Sequence, residues 1–126
     1  MSYKIEVFPN KNYLHVRVNG KNSRETVSGY LADLRRLCVE SSVPNLLIEE
    51  NLEGPGLSIT EIYGIITSSG RDLWPIVKKI AYVDTNPEHQ AGLMRFAGKL
   101  GISFGISVYV FNAVSDAEHW IQAETA

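Results

Sequence analysis

A serine between two glycines near the end of the chain has the spacing of a hydrolase nucleophile. Gly101 to Gly105 reads G-x-S-x-G, and Asp116 and His119 follow it in hydrolase order. In such enzymes the serine stands on a turn that leaves a strand and enters a helix. Here the glycines leave a predicted helix and enter a predicted strand, which places Ser103 at the wrong edge of the sheet. We therefore expect no enzyme and no catalytic residue, and keep a serine hydrolase using Ser103 only as a remote alternative.

Three carboxylates follow the most apolar run of the chain. Glu49, Glu50 and Glu53 come after Leu46 to Ile48 and could offer oxygen ligands to magnesium or calcium. The next predicted strand adds one more acid at its end, Asp84. Solvated loop charges explain the cluster without a metal, because water screens their mutual repulsion. We expect neither a metal site nor a cofactor.

Neither the histidines nor the single cysteine indicates a metal site or a nucleophile. His15, His89 and His119 lie on three separate predicted elements without the spacing of zinc ligands. Cys38 is the single cysteine, so an internal disulfide is excluded. It lies on the apolar stripe of a predicted helix, and nothing nearby would lower its pKa. We expect Cys38 to be a buried packing residue rather than a nucleophile.

Composition describes an ordinary globular domain. The 126 residues are 44% hydrophobic and 21% charged, which predicts one domain over residues 1–126. The formal charge of -2 and the pI near 5.9 argue against nucleic acid as a partner. No secretory signal opens the chain and no apolar run is long enough to span a membrane, so we expect a cytoplasmic protein.

The chain opens with a predicted hairpin and a helix. Tyr3 to Val7 and Leu14 to Val18 alternate apolar and polar residues, as half-buried strands do. Asn22 and Glu25 then have the types of an N-cap and its reciprocal acid. The helix that follows repeats apolar residues at three-four spacing. Its stripe consists of Val27, Tyr30, Leu31, Leu34, Leu37 and Cys38.

The stretch from Asn45 to Ser69 organises the rest. We predict a buried strand that is followed by a break at Gly54 to Gly56. A capping box of Ser58 and Glu61 then begins a second helix, which we expect to end at Gly70. We predict its buried face to be Ile59, Ile62, Tyr63 and Ile66. Ligands of open α/β sheets sit outside the carboxyl ends of strands, so this loop is the predicted regulatory or partner site. Its residues are Glu49, Glu50, Asn51, Glu53, Gly54, Gly56, Ser58 and Thr60.

The second half alternates strands and helices. We predict a strand over Ile80 to Val83, a helix from Asn86 to Gly101, a strand over Ile106 to Phe111, and a helix capped by Ser115 and Glu118. The order β-β-α-β-α-β-α-β-α predicts an α/β fold with a mixed sheet of four to five strands, an opening antiparallel hairpin and then parallel strands. Trp120 should pack on this sheet. The predicted core residues are Leu46, Leu47, Ile48, Ile80, Val83, Val108 and Val110.

This order resembles the STAS fold of bacterial anti-sigma-factor antagonists, and the chain looks like the SpoIIAA-like family of small STAS/SEC14-type proteins. Lys79 to Asp84 is similar to the family's basic-Ile-Ala-x-Val strand. Phe111, followed by Ala117 to Ile121, is similar to its closing phenylalanine and A-x-x-W-[LI] helix. The resemblance covers nearly the whole chain, and its motifs are core residues.

The resemblance implies a non-catalytic regulatory module that binds a protein partner. In the antagonists, a partner kinase phosphorylates a serine at the start of the helix after the third strand. The nearest counterpart here is Ser58, although Glu49 to Asn51 and a longer loop stand where the antagonists have Asp-Ser-Ser/Thr.

The alternative is a carrier or sensor for a lipid or another amphipathic small molecule, which the resemblance to SEC14-type domains implies. Aromatic residues could line a cavity between the helices and the sheet, although aromatics at such spacing also fill cores. We further expect a homodimer, since two-fold symmetry is the commonest arrangement of small oligomers. The candidate lining residues are Tyr63, Trp74, Phe96, Phe104 and Phe111.

Overall fold

Five strands form one mixed sheet with helices on both faces. The computed structural model describes residues 3–8, 10, 12–73, 75–86, 89, 99 and 105–125. The elements are β1 (Tyr3–Phe8), β2 (Leu14–Lys21), α1 (Arg24–Ser41), β3 (Asn45–Glu53), α2 (Ile59–Leu73), β4 (Lys79–Asp84), β5 (Ser107–Phe111) and α3 (Val114–Thr125). The strand order is β1-β2-β3-β4-β5. Only β1 runs antiparallel to its neighbour, which confirms the predicted fold class.

The central strand β3 is covered on both faces. Leu46 and Ile48 pack in the larger core beneath α1 and α2, whereas Leu47 packs in the smaller core beneath α3. All three side chains are at most 1% exposed, as the unbroken apolar run predicts. Alternation along the strand therefore directs successive β3 side chains to opposite helix layers.

The other predicted core residues divide according to the place of their strand. Ile80 and Val83 on β4 are buried. Val108 and Val110 are only partly buried, and among the described residues β4 is the only strand that pairs with β5. Trp120 packs on the sheet as predicted, since its ring lies 4.9 Å from that of Tyr109 and 5.8 Å from that of Phe111.

Helix α1 begins one residue later than predicted. Ser23, not Asn22, is the N-cap, and its hydroxyl accepts a hydrogen bond from the Thr26 amide at 3.1 Å. The Asn22 side chain instead donates to the carbonyl of Pro55 at 2.9 Å, a long-range contact that local sequence does not reveal. Cys38 is 1% exposed, and burial raises the pKa of its thiol to about 11, which confirms a packing role.

The start of α2 confirms the predicted capping box. The Glu61 amide donates to Ser58 Oγ at 3.1 Å, and the Ser58 amide donates to Glu61 Oε1 at 3.0 Å. The predicted end is wrong, because Gly70 is buried inside the helix, which continues to Leu73. Gly70 has no positive φ, so it provides no left-handed stop.

The predicted buried face of α2 is also partly wrong. Ile59 and Tyr63 are 53% and 54% exposed, whereas Ile62 and Ile65 are buried. The sheet lies under the stripe that passes through Ile62, Ile65 and Leu73, so Ile59 and Tyr63 lie at its margin.

Helix α3 begins before its predicted cap. It starts at Val114, and the Ala117 amide bonds the Ala113 carbonyl at 3.2 Å, so Ser115 lies inside the first turn. The helix predicted from Asn86 to Gly101 lies almost wholly outside the described residues. Among the described residues, no helix combines the length and the apolar character needed to cross a membrane.

Candidate functional site at the carboxyl edge of the sheet

The predicted partner loop begins with strand, not loop. β3 continues to Glu53, and Glu49 and Glu50 are only 5% and 4% exposed. This corrects the prediction that they are solvated loop charges, while Asn51 and Glu53 are exposed. Because neighbouring side chains alternate along a strand, Glu49 faces the α3 side and Glu50 faces the α1 and α2 side.

Glu49 contacts two basic side chains of β2. His15 Nε2 forms a hydrogen bond with Glu49 Oε2, and Arg17 Nε lies 3.4 Å from Glu49 Oε1. The Arg17 guanidinium also lies 5.0 Å over the ring of Phe8, a cation–π arrangement. Register explains the group, since β2 pairs directly with β3 and opposes Arg17 to Glu49.

Glu50 lies in a buried group of hydroxyls. The hydroxyls of Tyr30 and Tyr82 both hydrogen bond its carboxyl group. Burial raises the pKa of Glu50, and hydrogen bonds from the two tyrosines oppose that rise. Burial likewise raises the pKa values of Tyr30 and Tyr82, with the charge of Glu50 as the next cause. Burial thus opposes the charged form of each of these groups.

A second buried pair joins β4 to the loop after β3. Asp84 Oδ2 lies 2.6 Å from His89 Nδ1, and these two side chains are 7% and 2% exposed. On the other side of the ring, Nε2 lies 3.0 Å from the carbonyl oxygen of Gly54. Each ring nitrogen thus has an oxygen atom at hydrogen-bonding distance, and the Asn22 side-chain nitrogen also lies 3.3 Å from Nε2.

Glu50, Asp84 and His89 come close enough to be considered as metal ligands. One ligand atom from each lies within 4.8 Å of the others. In this structure the three groups are hydrogen bonded instead, since Asp84 Oδ2 lies 2.6 Å from His89 Nδ1 and the carboxyl group of Glu50 bonds two tyrosines. The described residues here form a hydrogen-bonded network.

The network holds the loop that leads to α2. Besides the His89 contact with Gly54, the Asn22 amide donates to the Glu53 carbonyl at 2.7 Å and its side chain donates to Pro55. The Asn86 side chain donates to the Leu52 carbonyl at 2.7 Å. These bonds fix four successive carbonyls, from Leu52 to Pro55. The glycine-rich loop is therefore anchored through its backbone, although Gly56 is exposed.

Beyond the loop, the start of α2 presents an exposed surface. Ser58, Ile59, Thr60 and Tyr63 all have exposed side chains, and we call them the α2 surface. Ile59 and Tyr63 are four residues apart and so lie side by side on the helix. The arrangement places two large apolar groups beside a serine hydroxyl at a helix N-terminus, where backbone amides and the helix dipole favour an anion.

An apolar cavity of about 110 Å³ lies between the sheet and the two helices α1 and α2. Tyr63 and Phe111 do not line it, since Tyr63 is exposed and Phe111 packs against Trp120 beneath α3. The other three predicted lining residues, Trp74, Phe96 and Phe104, lie outside the described residues. The walls include Ile48, Ile62, Ile65, Leu73, Ile80 and Ile106, and Tyr30, Glu50 and Tyr82 contribute polar groups.

The residues of the hydrolase alternative are only partly described. Ser103 lies outside the described residues, while Asp116 and His119 are exposed on α3. Sequence reasoning did not predict the contacts of five residues in this network, Asn22, Tyr30, Tyr82, Asn86 and His89. One signal was available for part of it, because Glu50 and Asp84 end neighbouring parallel strands and so meet at one sheet edge.

No family model and no curated protein matches the chain. Among solved structures, an anti-sigma factor antagonist from Mycobacterium paratuberculosis matches with a TM-score of 0.58 and 17% identity, over 96% of this chain and 95% of that one. This chain has the fold of the anti-sigma factor antagonists. The antagonist SpoIIAA in its unphosphorylated form matches with a TM-score of 0.56 and 10% identity, over 97% of both chains. The antagonist fold confirms the STAS-like architecture that the sequence predicted.

Proposed function

We propose that this protein is a non-catalytic regulatory module that binds a protein partner through the α2 surface. The observation that carries the proposal is the exposure of Ile59 and Tyr63, at 53% and 54%, on adjacent turns of a helix whose opposite face is buried. Tyrosine is enriched among the residues that contribute most to protein interfaces. Apolar anchors spaced by four residues are also how a helix engages a groove.

The comparisons support a protein as the partner. Two solved proteins of this fold are named as anti-sigma factor antagonists, a name that refers to a protein target. For this chain we propose the same class of ligand, without naming the protein. The net charge of -2 agrees with this class better than with nucleic acid.

Ser58 is the residue through which we propose that binding is switched. Its side chain is exposed, and its hydroxyl oxygen accepts a hydrogen bond from the Glu61 amide at the N-terminal end of α2. A phosphate there would find the same amides, while its charge would stand beside Glu61 and next to the apolar pair Ile59 and Tyr63. Added charge at this place should weaken an apolar contact. One of the matching structures is named as an unphosphorylated form, which supports the idea of such a state.

The buried network has a supporting role in this proposal. His89 and Asn22 bind the carbonyls that precede the capping box, so the loop and the first turn of α2 are held before a partner arrives. A surface that is ordered in advance loses less conformational entropy on binding.

Co-purification from the protein's own host tests the proposal. We expect a partner protein to be retained by the wild-type chain and lost when Ile59 and Tyr63 are both changed to alanine. Val39→Ala is the matched control, because Val39 is an apolar residue of α1 with a similar exposure of 51%. Equal retention by all three proteins would contradict the α2 surface as the binding site.

The cavity supports a second candidate function, the sensing of a small amphipathic molecule. Its walls are apolar, and Glu50 with Tyr30 and Tyr82 offers a polar contact. Its volume of about 110 Å³ is below the roughly 150 Å³ of an apolar cavity that accepts benzene, so a guest would be small rather than a lipid. Native mass spectrometry of protein from its own host distinguishes the two functions. A bound small molecule supports the sensor, and a bound protein supports the module.

A further inference from the structure

One edge of the sheet is formed by β1. Its inner side pairs with β2, and no strand of the described residues pairs with its outer side. Such an edge presents a row of unpaired backbone N–H and C=O groups to another strand. Val7 on this edge is 45% exposed, and Lys4 is exposed without an ion-pair partner among the described residues.

The side chains of β1 form a pattern that suits pairing with itself. Lys4 and Glu6 lie on one face of the strand, while Tyr3, Ile5 and Val7 lie on the other. If two copies of β1 run antiparallel around an axis through Ile5, each Lys4 stands opposite the partner's Glu6. On the other face, Tyr3 stands opposite the partner's Val7. Opposite charges and apolar pairs directly across strands are both stabilising.

We propose that β1 pairs antiparallel with β1 of a second copy of this chain, with Ile5 on the two-fold axis. The two five-stranded sheets then form one continuous sheet. The interface is independent of the α2 surface, which lies on a different element, so dimer formation and partner binding can be tested separately.

Backbone geometry is compatible with this register. In an antiparallel strand, every second residue directs its N–H and C=O groups outward. Around Ile5, the paired positions are three with seven, four with six, and five with five. Odd-numbered residues therefore lie opposite odd-numbered residues, and even-numbered opposite even-numbered. Backbone groups that point away from β2 thus meet the corresponding groups of the partner, whichever of the two sets points outward.

Charge pairing favours this register over those with the axis one residue earlier or later. An axis through Lys4 would place the two Lys4 side chains opposite each other, and an axis through Glu6 would oppose two carboxylates, both of which are unfavourable. β5, at the other end of the strand order in the described part of the chain, carries no charged residue and so has no charge pairing to fix a register.

The edge is also held in shape by α1. The Tyr3 hydroxyl donates to Asp33 Oδ2 at 2.5 Å. The Tyr3 ring lies against Gly29, where an added Cβ would come within 3.0 Å of the ring. These contacts order the first residue of β1 before a second copy binds.

Charge reversal with sedimentation velocity tests the proposal. We expect the wild-type chain to form a dimer, and Lys4→Glu and Glu6→Lys each to weaken it by about tenfold or more, since both symmetry-related pairs change sign. An equimolar mixture of these two variants should dimerise again, because each chain then offers the charges that the other lacks. The double variant Lys4→Glu/Glu6→Lys should also recover the homodimer.

Recovery in the mixture separates a charge effect from misfolding of either variant. A wild-type chain that stays monomeric at high concentration would overturn the proposal. A dimer that neither single variant weakens would also overturn it, because the interface would then lie elsewhere. Single variants that dissociate but fail to recover when mixed would equally contradict the register.

Discussion

His89 Nδ1 lies 2.6 Å from Asp84 Oδ2, in a pair of almost wholly buried side chains at the carboxyl edge of the sheet. The same ring reaches the carbonyl of Gly54 with its other nitrogen. The pair therefore connects the end of β4 with the loop after β3, and this loop leads directly to the α2 surface. Removing either side chain leaves the other buried without its partner, which is costly.

We expect His89→Gln and Asp84→Asn each to lower the free energy of unfolding by about 3 kcal/mol. The double variant should lose clearly less than the sum, because the two residues interact directly. Urea denaturation of the four proteins measures this coupling. Purely additive losses would show that the contact does not stabilise the fold. Exchange of the backbone amides of Gly54, Gly56 and Leu57 should also be faster in His89→Gln.

Glu50 should make stability depend on pH. Burial raises its pKa above the ordinary value of 4.5, so the folded chain keeps a proton that the unfolded chain loses. Stability from this site is complete below pH 4.5 and falls as the pH rises through the folded-state pKa. Because Glu50→Gln cannot ionise, its stability relative to wild type should increase over that range. Denaturation at a series of pH values measures this.

The control for Glu50 is Glu53→Gln, on the same strand but exposed. Its stability curve should run parallel to that of wild type. If the Glu50→Gln curve is parallel as well, the carboxyl group of Glu50 does not titrate as its buried position requires.

Cys38 should be unreactive in the folded protein. Burial raises the pKa of its thiol to about 11 and leaves 1% of the residue exposed, whereas alkylation requires an accessible thiolate. We expect iodoacetamide at mildly alkaline pH to label the unfolded chain fully and the folded chain very slowly, as mass spectrometry would show. Rapid labelling of the folded chain would mean that α1 opens readily.

Substitutions at Ser58 distinguish a structural role of this residue from a regulatory one. Ser58→Ala should cost about 1 kcal/mol of stability, and Ser58→Asp should be nearly neutral, because aspartate caps a helix as well as serine does. If Ser58 is also a switch, Ser58→Asp should weaken partner binding at unchanged stability. Thermal denaturation and partner capture together measure this. Unchanged capture by Ser58→Asp would leave the residue as a helix cap alone.

Local signals predicted the fold and one part of the site. The capping box of Ser58 and Glu61 depends on contacts three residues apart, which a sequence displays directly. The burial of Glu49 depends on His15 and Arg17, which the parallel register brings from more than thirty residues away. A polar run after an apolar strand has the same sequence pattern in two cases, when the strand ends there and when it continues as a buried strand between helices.

Local sequence also could not predict which side chains of α2 are buried. Ile59, Ile62, Tyr63 and Ile66 form a plausible apolar stripe, and only the position of the sheet decides which of them is covered. The exposed pair Ile59 and Tyr63 is thus a feature that the sequence concealed. It is also the feature on which the proposed function depends.

The affinity of the co-purified partner for Tyr63→Ala, measured by titration calorimetry beside wild type and Val39→Ala, tests the central claim most directly. If Tyr63 becomes buried against the partner, its loss should raise the dissociation constant by about tenfold or more. Val39→Ala should bind like wild type, since Val39 is as exposed but lies on α1. If Tyr63→Ala binds as tightly as wild type while remaining folded, the α2 surface is not where this protein meets its partner.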